Sequence, residues 1–578
     1  MAEEQLVVTS SPKKKIGFFS AILIVMGSAI GVGVFLRSKN VLQNSANNVV
    51  WALIVWLIAG FAVITMGIAL VEVASGRNDN LGVIGWTKAF STLSLYKGTK
   101  FFMTYLYLPF TYFFMPYYVI VQFQDGIAGF VGYSKVGFGG STSAPWIYFA
   151  IGLALTLWMI FSAGISGRAT NIQNWIVTVA KLIPIFVVII LGIIFAVYKG
   201  TGKEGFVAGV DDGVTPLWHK ITSADLFNKS SSSFLGLTPF LTVFSSLGGI
   251  FFAFDGFYVT AGIQSEMKHP EKTPAAIVIG LASMTVLYML IAVTMTLGGN
   301  NGSFYGFGDE LNAVKAGWVF GVINILISIG IIGILNGFTA WATRWVEDLV
   351  REGEMFVPVR AYRYIKHSQV PWVGAIFVLL ISLPFMVIFT AIGAYAYFGG
   401  GYSTDYGYQI DNLLTFADLM ANWMAVFAFA FIATSIIGML QNRKKHFIAV
   451  VEGKHSKWTG YVSVIFILSV MFFLAIDPFI SIGLSAAQYV ADKTQDNRNG
   501  LVGNIATSVL FIIYAAVSFL GAPVERQIAK SNKIKFDRVL SGNICAHEVP
   551  EWCPCKLEEL KEKAELNDMV LKTFAEAR

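Results

Sequence analysis

Long apolar stretches recur along most of this chain, and they constrain its fold more than any other feature. Twelve stretches of roughly 20 residues are long enough to cross a bilayer core of about 30 Å as a helix. They lie within residues 16–36, 49–71, 101–123, 146–164, 175–198, 240–263, 275–298, 318–341, 372–396, 412–440, 459–476 and 501–521. Because lipid leaves backbone polar groups without partners and no barrel-like alternation is present, these spans are predicted to be helices. The sequence therefore predicts an all-α integral membrane protein.

Composition excludes the other broad classes of protein. Only 13% of the residues are charged and 55% are hydrophobic, whereas a soluble domain has about 25% charged residues. The three cysteines all follow the last apolar stretch, so no disulfide framework holds the apolar part together. The chain lacks H-E-x-x-H, Walker and G-x-S-x-G motifs, which argues against an enzyme, and no cofactor is expected.

Basic residues indicate how the chain is oriented. A Lys13–Lys15 triplet precedes the first span, and further basic residues fall in alternate connections, among them Arg360, Arg363, Lys366, Arg443, Lys444 and Lys445. The positive-inside rule then places both termini in the cytoplasm, and a multi-pass plasma membrane protein is expected. The same bias favours contact with anionic membrane lipids and gives no support for nucleic-acid binding.

The spans and the segments between them predict six parts of the chain. These are a cytoplasmic N-terminal segment 1–15, a first group of five helices 16–198, an extracellular loop 199–239, a second group of five helices 240–440, two further helices 441–521 and a cytoplasmic tail 522–578.

The first span contains a glycine cluster where lipid most demands a helix. Gly27 to Phe35 reads G-S-A-I-G-V-G-V-F, and glycine costs roughly 1 kcal/mol against alanine in a helix. Close packing of the small-xxx-small kind, with Gly27 and Gly31 four apart, explains the pattern as well as an interruption does.

The sixth span carries a second anomaly. Phe251 to Phe257 reads F-F-A-F-D-G-F, with Gly248 and Gly249 before it. A carboxylate in hydrocarbon costs at least about 2.5 kcal/mol, so Asp255 is expected to face the bundle interior or to be protonated. A helix-terminating Asp-Gly pair is the alternative explanation.

The two anomalies hold equivalent places if spans one to five and six to ten are repeats. Paired interruptions of this kind point to a transporter site at the repeat interface. Free N–H groups of one break suit a carboxylate, and free C=O groups of the other suit an ammonium. A zwitterion, and hence an α-amino acid, is the small-molecule partner that this arrangement predicts.

Both segments resemble motifs of the amino acid–polyamine–organocation (APC) permeases. The glycine cluster resembles their first-helix motif, and F-F-A-F-D-G-F resembles their sixth-helix motif. Glu266 to Ile277 and Leu335 to Gly353 are similar to the link into helix seven and the end of helix eight. The resemblance implies a LeuT-type 5+5 inverted-repeat transporter fold with two additional C-terminal transmembrane helices, 12 in total.

The resemblance also implies which residues hold the substrate. Backbone contacts to the carboxylate are expected from Ala29, Val32 and Gly33. Ser28 and Gly31 are expected to shape the unwound turn. The carbonyls expected to face the ammonium are those of Phe252, Ala253 and Asp255. Phe254 is expected to cover the site as an aromatic gate.

Lys181 is a basic residue about a third of the way into an otherwise uncharged fifth span, in the sequence K-L-I-P. Near a helix end its ammonium would reach the interface. If it points inward, desolvation makes its proton responsive to substrate binding. In proton-driven relatives a lysine in this context stands where sodium-driven relatives hold a cation, so the resemblance implies proton coupling through Lys181.

Three further observations are weaker. Glu72 and Asp418 lie near span ends, which favours solvated or helix-end roles over proton relay. The tail sequence C-A-H-E-V-P-E-W-C-P-C offers a zinc candidate formed by Cys545, His547, Cys553 and Cys555. C-x-C is tighter than the usual ligand pair, so free thiols and no metal are the default expectation.

The expected function is secondary active transport of an amino acid, in the form of proton-coupled symport by alternating access. An exchanger of the same fold is one alternative, and a non-transporting membrane sensor of amino acids, with the long tail as its signalling part, is another. The sequence does not name the amino acid or the oligomeric state.

Overall fold

The computed structural model of this chain describes most of the apolar part of the sequence. The described residues are 17–31, 33–45, 47–77, 81–132, 137–138, 142–200, 238–258, 267–269, 272–298, 303–351, 354–355, 370–397 and 406–531. The predicted N-terminal segment 1–15, residues 201–237 of the predicted loop, and the four zinc candidates lie outside them.

Every extended regular element among these residues is a helix, as the apolar spans predict. In chain order the helices are α1 Phe18–Ala29, α2 Gly33–Asn44, α3 Val49–Ser75, α4 Val83–Phe90, α5 Leu93–Phe102, α6 Leu108–Val131, α7 Ala144–Ser162, α8 Gly167–Gly200, α9 Thr238–Phe254, α10 Thr273–Gly298, α11 Phe304–Ala313, α12 Gly317–Arg351, α13 Trp372–Ala391, α14 Tyr408–Lys445, α15 Ser456–Ala491 and α16 Gln495–Ser531. Two π-helical segments, Met103–Tyr107 and Ile392–Ala396, join α5 to α6 and extend α13.

Nine helices in the described part of the chain are long and apolar enough to cross a membrane. They coincide with nine of the predicted spans. The first and sixth spans fall on helices that are interrupted, and the third falls on the end of α5, the π-helical segment Met103–Tyr107 and α6. The protein is thus a multi-pass membrane protein, and the predicted count of twelve spans stays a prediction.

The helices pack into two groups around the middle of the molecule. In one group α1 packs on α10, while α2 and α3 each pack with both α9 and α10. In the other group α6 packs with α7, α12 and α13, which also contact one another. Helix α8 packs on α10 of the first group and α12 of the second, so it lies between the groups.

Some predicted boundaries differ from the structure. The last helix continues to Ser531, so residue 522, where the predicted tail begins, lies inside α16. Helices α4 and α11 were not predicted, because each is shorter than a membrane span and lies in a connection between spans. Helix α4 buries Val83, Trp86 and Phe90, so packing rather than hydropathy explains why it forms.

Candidate functional site

The first interruption lies where the glycine cluster predicts it. Helix α1 ends at Ala29, and its last bond is donated by the Ile30 N–H to the Met26 carbonyl at 2.9 Å. Ile30 then has extended backbone angles, and α2 begins at Gly33. Since the first four N–H groups of a helix lack partners within it, the start of α2 presents free donors in the middle of the molecule.

The second interruption follows Phe254, as predicted. Gly256 has a φ of 95°, which favours glycine and turns the chain away from the axis of α9. The Asp255 N–H bonds the Phe252 carbonyl at 3.1 Å, and the Ala253 carbonyl accepts the Tyr288 hydroxyl at 3.0 Å. A carbonyl oxygen has two lone pairs, so both carbonyls can still accept an ammonium proton.

The two interruptions meet. A Cβ on Gly33 would lie 3.1 Å from the Ala253 Cα, so α2 approaches α9 as closely as only glycine permits. Beside this contact lies a cavity of about 330 Å³, which is within the size range of small-molecule sites. Residues of α1, α2, α6, α8, α9, α12 and α14 line it, so both groups of helices contribute to its wall.

Asp255 lines the cavity at the end of α9, and other groups fix its carboxylate. The Tyr107 hydroxyl donates to Oδ2 at 2.9 Å, and the Gly256 N–H donates to Oδ1 at 3.0 Å. The Tyr258 hydroxyl in turn donates to the Tyr107 oxygen at 2.7 Å. This chain of hydroxyl groups holds a carboxylate at the cavity wall, and no basic side chain among the described residues contacts it.

Lys181 lies on the opposite wall, on α8. Its side chain is only 8% exposed, lines the cavity, and donates to the Gly27 carbonyl at the end of α1. Among the residues that the structure describes, no carboxylate lies within 4 Å of its ammonium. Lys181 therefore points inward rather than toward the interface, and it connects α8 to the first interruption.

An ion pair lies beyond the cavity on the α2 side. The Arg37 guanidinium binds both carboxylate oxygens of Asp418, and the Tyr118 hydroxyl donates to Asp418 Oδ1 at 2.9 Å. Arg37 also lies over the Phe252 ring, 5.6 Å from its centroid. These contacts join α2, α6, α9 and α14, so the cavity is closed at this end.

The other end of the cavity is apolar. Leu23 and Ile24 of α1 line it and are 46% and 36% exposed. Trp341 of α12 lines it too, and its indole would lie 2.7 Å from a Cβ on Gly82 in the connection between α3 and α4. Side chains without charge therefore surround the end nearest the N-terminal half of α1.

The structure brings most of the predicted site residues together. Those that line the cavity are Ala29, Gly31, Gly33, Lys181, Phe252, Ala253 and Asp255. Val32 and the side chain of Ser28 lie outside the described part of the structure. Phe254 does not line the cavity: it is fully buried, and its ring packs 5.1 Å from that of Tyr288 on α10. Phe252 lines the cavity instead, and its ring packs against those of Phe114 and Tyr118 on α6.

The sequence analysis missed the contribution of α6. Tyr107, Thr111, Met115 and Tyr118 line the cavity, and their spacing of four, four and three residues places them on one helical face. This stripe was a signal available in the sequence. The partnership of Arg37 with Asp418 was not available, because 381 residues separate them.

The expectation of a solvated role is wrong for both acids near span ends, whereas a helix-end role fits Glu72 in the last turn of α3. Asp418 forms the ion pair with Arg37. Glu72 is 1% exposed and accepts hydrogen bonds from the Arg443 guanidinium and, at 2.9 Å, from the Gly453 N–H. It thereby fastens the end of α3 to the end of α14 and to the connection that follows.

Comparison with known proteins identifies the family. A family profile described as amino acid permease matches residues 16–491. The chain belongs to the amino acid permease family. This permease is 40% identical over 546 residues to an uncharacterized protein of Mycoplasma pneumoniae, covering 90% of this chain and 95% of that protein.

Relatives with a described activity are more distant from the permease. A serine/threonine exchanger, SteT, of Bacillus subtilis is 25% identical, with 65% of this chain and 77% of the relative covered. An arginine/ornithine antiporter of Latilactobacillus sakei is 26% identical, with 49% and 52% covered. A solved manganese transporter of Eremococcus coleocola aligns at 14% identity over 87% of this chain and 95% of that chain, with a TM-score of 0.46.

Proposed function

We propose that this permease takes up an α-amino acid by alternating access, with the substrate held between the two interrupted helices. The observation that carries this proposal is the contact of Gly33 with Ala253 beside the cavity. The start of α2 offers N–H donors to a carboxylate, while the end of α9 offers carbonyls and the Asp255 carboxylate to an ammonium. No covalent step is needed, since a transport site only binds and releases.

In this proposal the predicted residues other than Phe254 each have a definite part. Backbone groups of Ala29, Val32 and Gly33 bind the carboxylate, and Ser28 and Gly31 shape the turn. Phe252, Ala253 and Asp255 receive the ammonium. The ring of Phe252 closes the site on the side of Arg37.

The packing of the helices supports a LeuT-type 5+5 inverted repeat followed by two additional helices, with residues 16–198 and 240–440 as the repeats. Span one packs with span six, span two with span seven, span three with span eight and span four with span nine. Each pair of partners is five spans apart, as two repeats of five predict. Cytoplasmic termini in the plasma membrane follow from the basic connections, and the closed end at Arg37 is then the outer end.

Lys181 is the proposed coupling residue. Its ammonium donates to the Gly27 carbonyl, so loss of the proton weakens a contact between α8 and the first interruption, because a neutral amine is a poorer donor. Binding of a substrate carboxylate at the same interruption favours the protonated form, and release into the cytoplasm favours the neutral one. A proton gradient thereby drives net uptake.

Exchange of one amino acid for another is the second candidate function. The names of the Bacillus subtilis and Latilactobacillus sakei relatives, exchanger and antiporter, favour it. The same site serves both modes, because the difference is whether the empty site can change its orientation.

Reconstitution in proteoliposomes tests these functions. Labelled amino acids are added outside empty vesicles, with and without an inward proton gradient, and outside vesicles preloaded with unlabelled amino acids. Accumulation driven by the gradient in empty vesicles is the expected result. Uptake that requires preloading identifies an exchanger, and saturable binding without any uptake would overturn transport in favour of a sensor.

A further inference from the structure

Three glycines lie at helical spacing on the part of α12 that faces α8 and the cavity. Two of them are explained by packing. A Cβ on Gly333 would lie 2.0 Å from Val177 Cγ1, and a Cβ on Gly330 would lie 3.2 Å from Lys181 Cγ. A side chain at either position would push α12 away from α8, which accounts for glycine at both.

Gly337, one turn farther along α12, has no such explanation. A Cβ there would have no other atom within 4 Å, yet the residue lines the cavity. Glycine is unfavourable inside a helix, so an open position of this kind loses stability without any gain in packing. Space in the cavity is what the missing side chain provides.

The wall around Gly337 is apolar. Phe338 and Trp341 flank it on α12, and Met115 of α6 and Met424 of α14 line the same cavity. Charged groups of the wall, Asp255 and Lys181, lie instead beside the two interruptions. The cavity therefore separates a polar part, suited to the head group of an amino acid, from an apolar part beside α12.

We infer that Gly337 is a specificity-determining residue that makes room for a bulky, largely apolar substrate side chain such as that of leucine or phenylalanine. This inference rests on the proposed function, because it assigns the apolar part of the same cavity to the substrate. The hydroxyl groups beside this part already have partners: Tyr107, whose ring lies 5.8 Å from that of Phe338, donates to Asp255, and Thr111 donates to the Tyr107 carbonyl at 2.7 Å. A polar substrate side chain would thus find few partners here.

The full-length permease in proteoliposomes provides the test, with uptake of labelled leucine, phenylalanine, alanine and arginine measured for wild type, Gly337→Ala and Gly337→Val. We expect wild type to prefer leucine and phenylalanine. Gly337→Val is expected to weaken uptake of both, expressed as kcat/KM, by about tenfold or more, as filling a hydrophobic pocket does. Alanine uptake should stay within about threefold, because a methyl group does not reach the filled space.

Gly483 supplies a matched control, since it lies inside α15 and a Cβ there also has no atom within 4 Å. Gly483→Val should leave all four rates unchanged. The smaller Gly337→Ala keeps the test valid if the valine variant fails to fold, and its effect should again be larger for phenylalanine than for alanine.

Two results would overturn the inference while leaving transport intact. One is a wild type that prefers alanine or arginine to leucine. The other is a Gly337 variant that slows all four amino acids by the same factor, which would indicate a role in helix motion. Failure of wild type to carry any amino acid would instead overturn the proposed function.

Discussion

Two buried lysines of this permease differ in what holds them. Lys97, at 6% exposure, donates to the Glu354 carboxylate at 2.5 Å, beside Lys100 and Lys88. Lys181, at 8% exposure, donates to a backbone carbonyl and lines the cavity. The Glu354 carboxylate supplies a countercharge to Lys97, whereas the carbonyl that Lys181 contacts supplies none. The comparison separates a lysine held in an ion pair from a lysine at the cavity wall whose partner carries no charge.

Other ion pairs of the described residues follow the pattern of Lys97. Arg37 pairs with Asp418, and Arg443 pairs with Glu72. In both pairs no side chain is more than 16% exposed. Removal of one partner from such a pair leaves an uncompensated charge, which costs about 3–5 kcal/mol. The predictions below separate these structural pairs from Lys181.

The largest expected effect on transport follows from Lys181→Ala. We expect gradient-driven uptake to fall by about tenfold or more, equivalent to ~1.4 kcal/mol or more, while amino acid binding remains measurable. Lys181→Arg should lose the pH dependence as well, because arginine keeps its proton. Uptake by each variant is measured at several external pH values. Lys39→Ala, at an exposed position on α2, is the control. Unchanged pH dependence in Lys181→Ala would refute the coupling role.

The next effect concerns the closed end of the cavity. Asp418→Asn leaves the Arg37 guanidinium without its carboxylate, so we expect a loss of about 3–5 kcal/mol in stability and a cavity that opens on this side. Thermal unfolding of Asp418→Asn, Arg37→Gln and the double variant forms a double-mutant cycle.

Coupling between these two substitutions is the expected result of the cycle. Because all three native cysteines follow residue 544, a single cysteine introduced at Met115 would report opening by its reaction with an external thiol reagent. Additive losses with unchanged labelling would show that the pair does not close the cavity.

Glu72→Gln should reduce stability by a comparable but smaller amount, about 3 kcal/mol, since the Gln side chain can still accept the Gly453 N–H. The cavity is distant from this pair, so KM for the transported amino acid should not change. Thermal unfolding and uptake by the same reconstituted sample measure the two quantities. A changed KM with unchanged stability would contradict a purely structural role.

The smallest effect concerns Glu354, which follows α12 and lies outside the membrane-spanning segments. Burial alone would raise the pKa of its carboxyl, but Lys97 and Lys100 outweigh burial, so the pKa is lowered from its usual value. A lowered pKa contributes stability that is present above the usual value of about 4.3 and is lost as the pH falls through the lowered value. Glu354→Gln should therefore flatten the loss of thermal stability in acid, and an identical acid profile for both proteins would contradict this.

Features that depend on neighbouring residues in the chain could be predicted from the sequence, whereas contacts between distant residues could not. Apolar runs predict the membrane helices because hydropathy is local, and the glycines at Gly31 and Gly256 predict the interruptions because helix propensity is local as well. The partner of Arg37 and the packing of Phe254 against Tyr288 depend on which helices meet. Those contacts join residues far apart in the chain, so local pattern could not assign them.

The site shows the same division. The residues of the two interruptions were predictable, since each belongs to a short motif. Gly337 stands in the predicted eighth span beside other glycines, and its open surroundings become visible only when α8 and α6 are in place. Its role therefore had to come from the structure.

The most direct measurement of the central claim is an experimental density map of the permease with the amino acid that it transports. The account predicts substrate density between Gly33 and Ala253, with the carboxylate toward the start of α2 and the ammonium toward the end of α9. Substrate density elsewhere, or helices α1 and α9 that run unbroken through these positions, would contradict it.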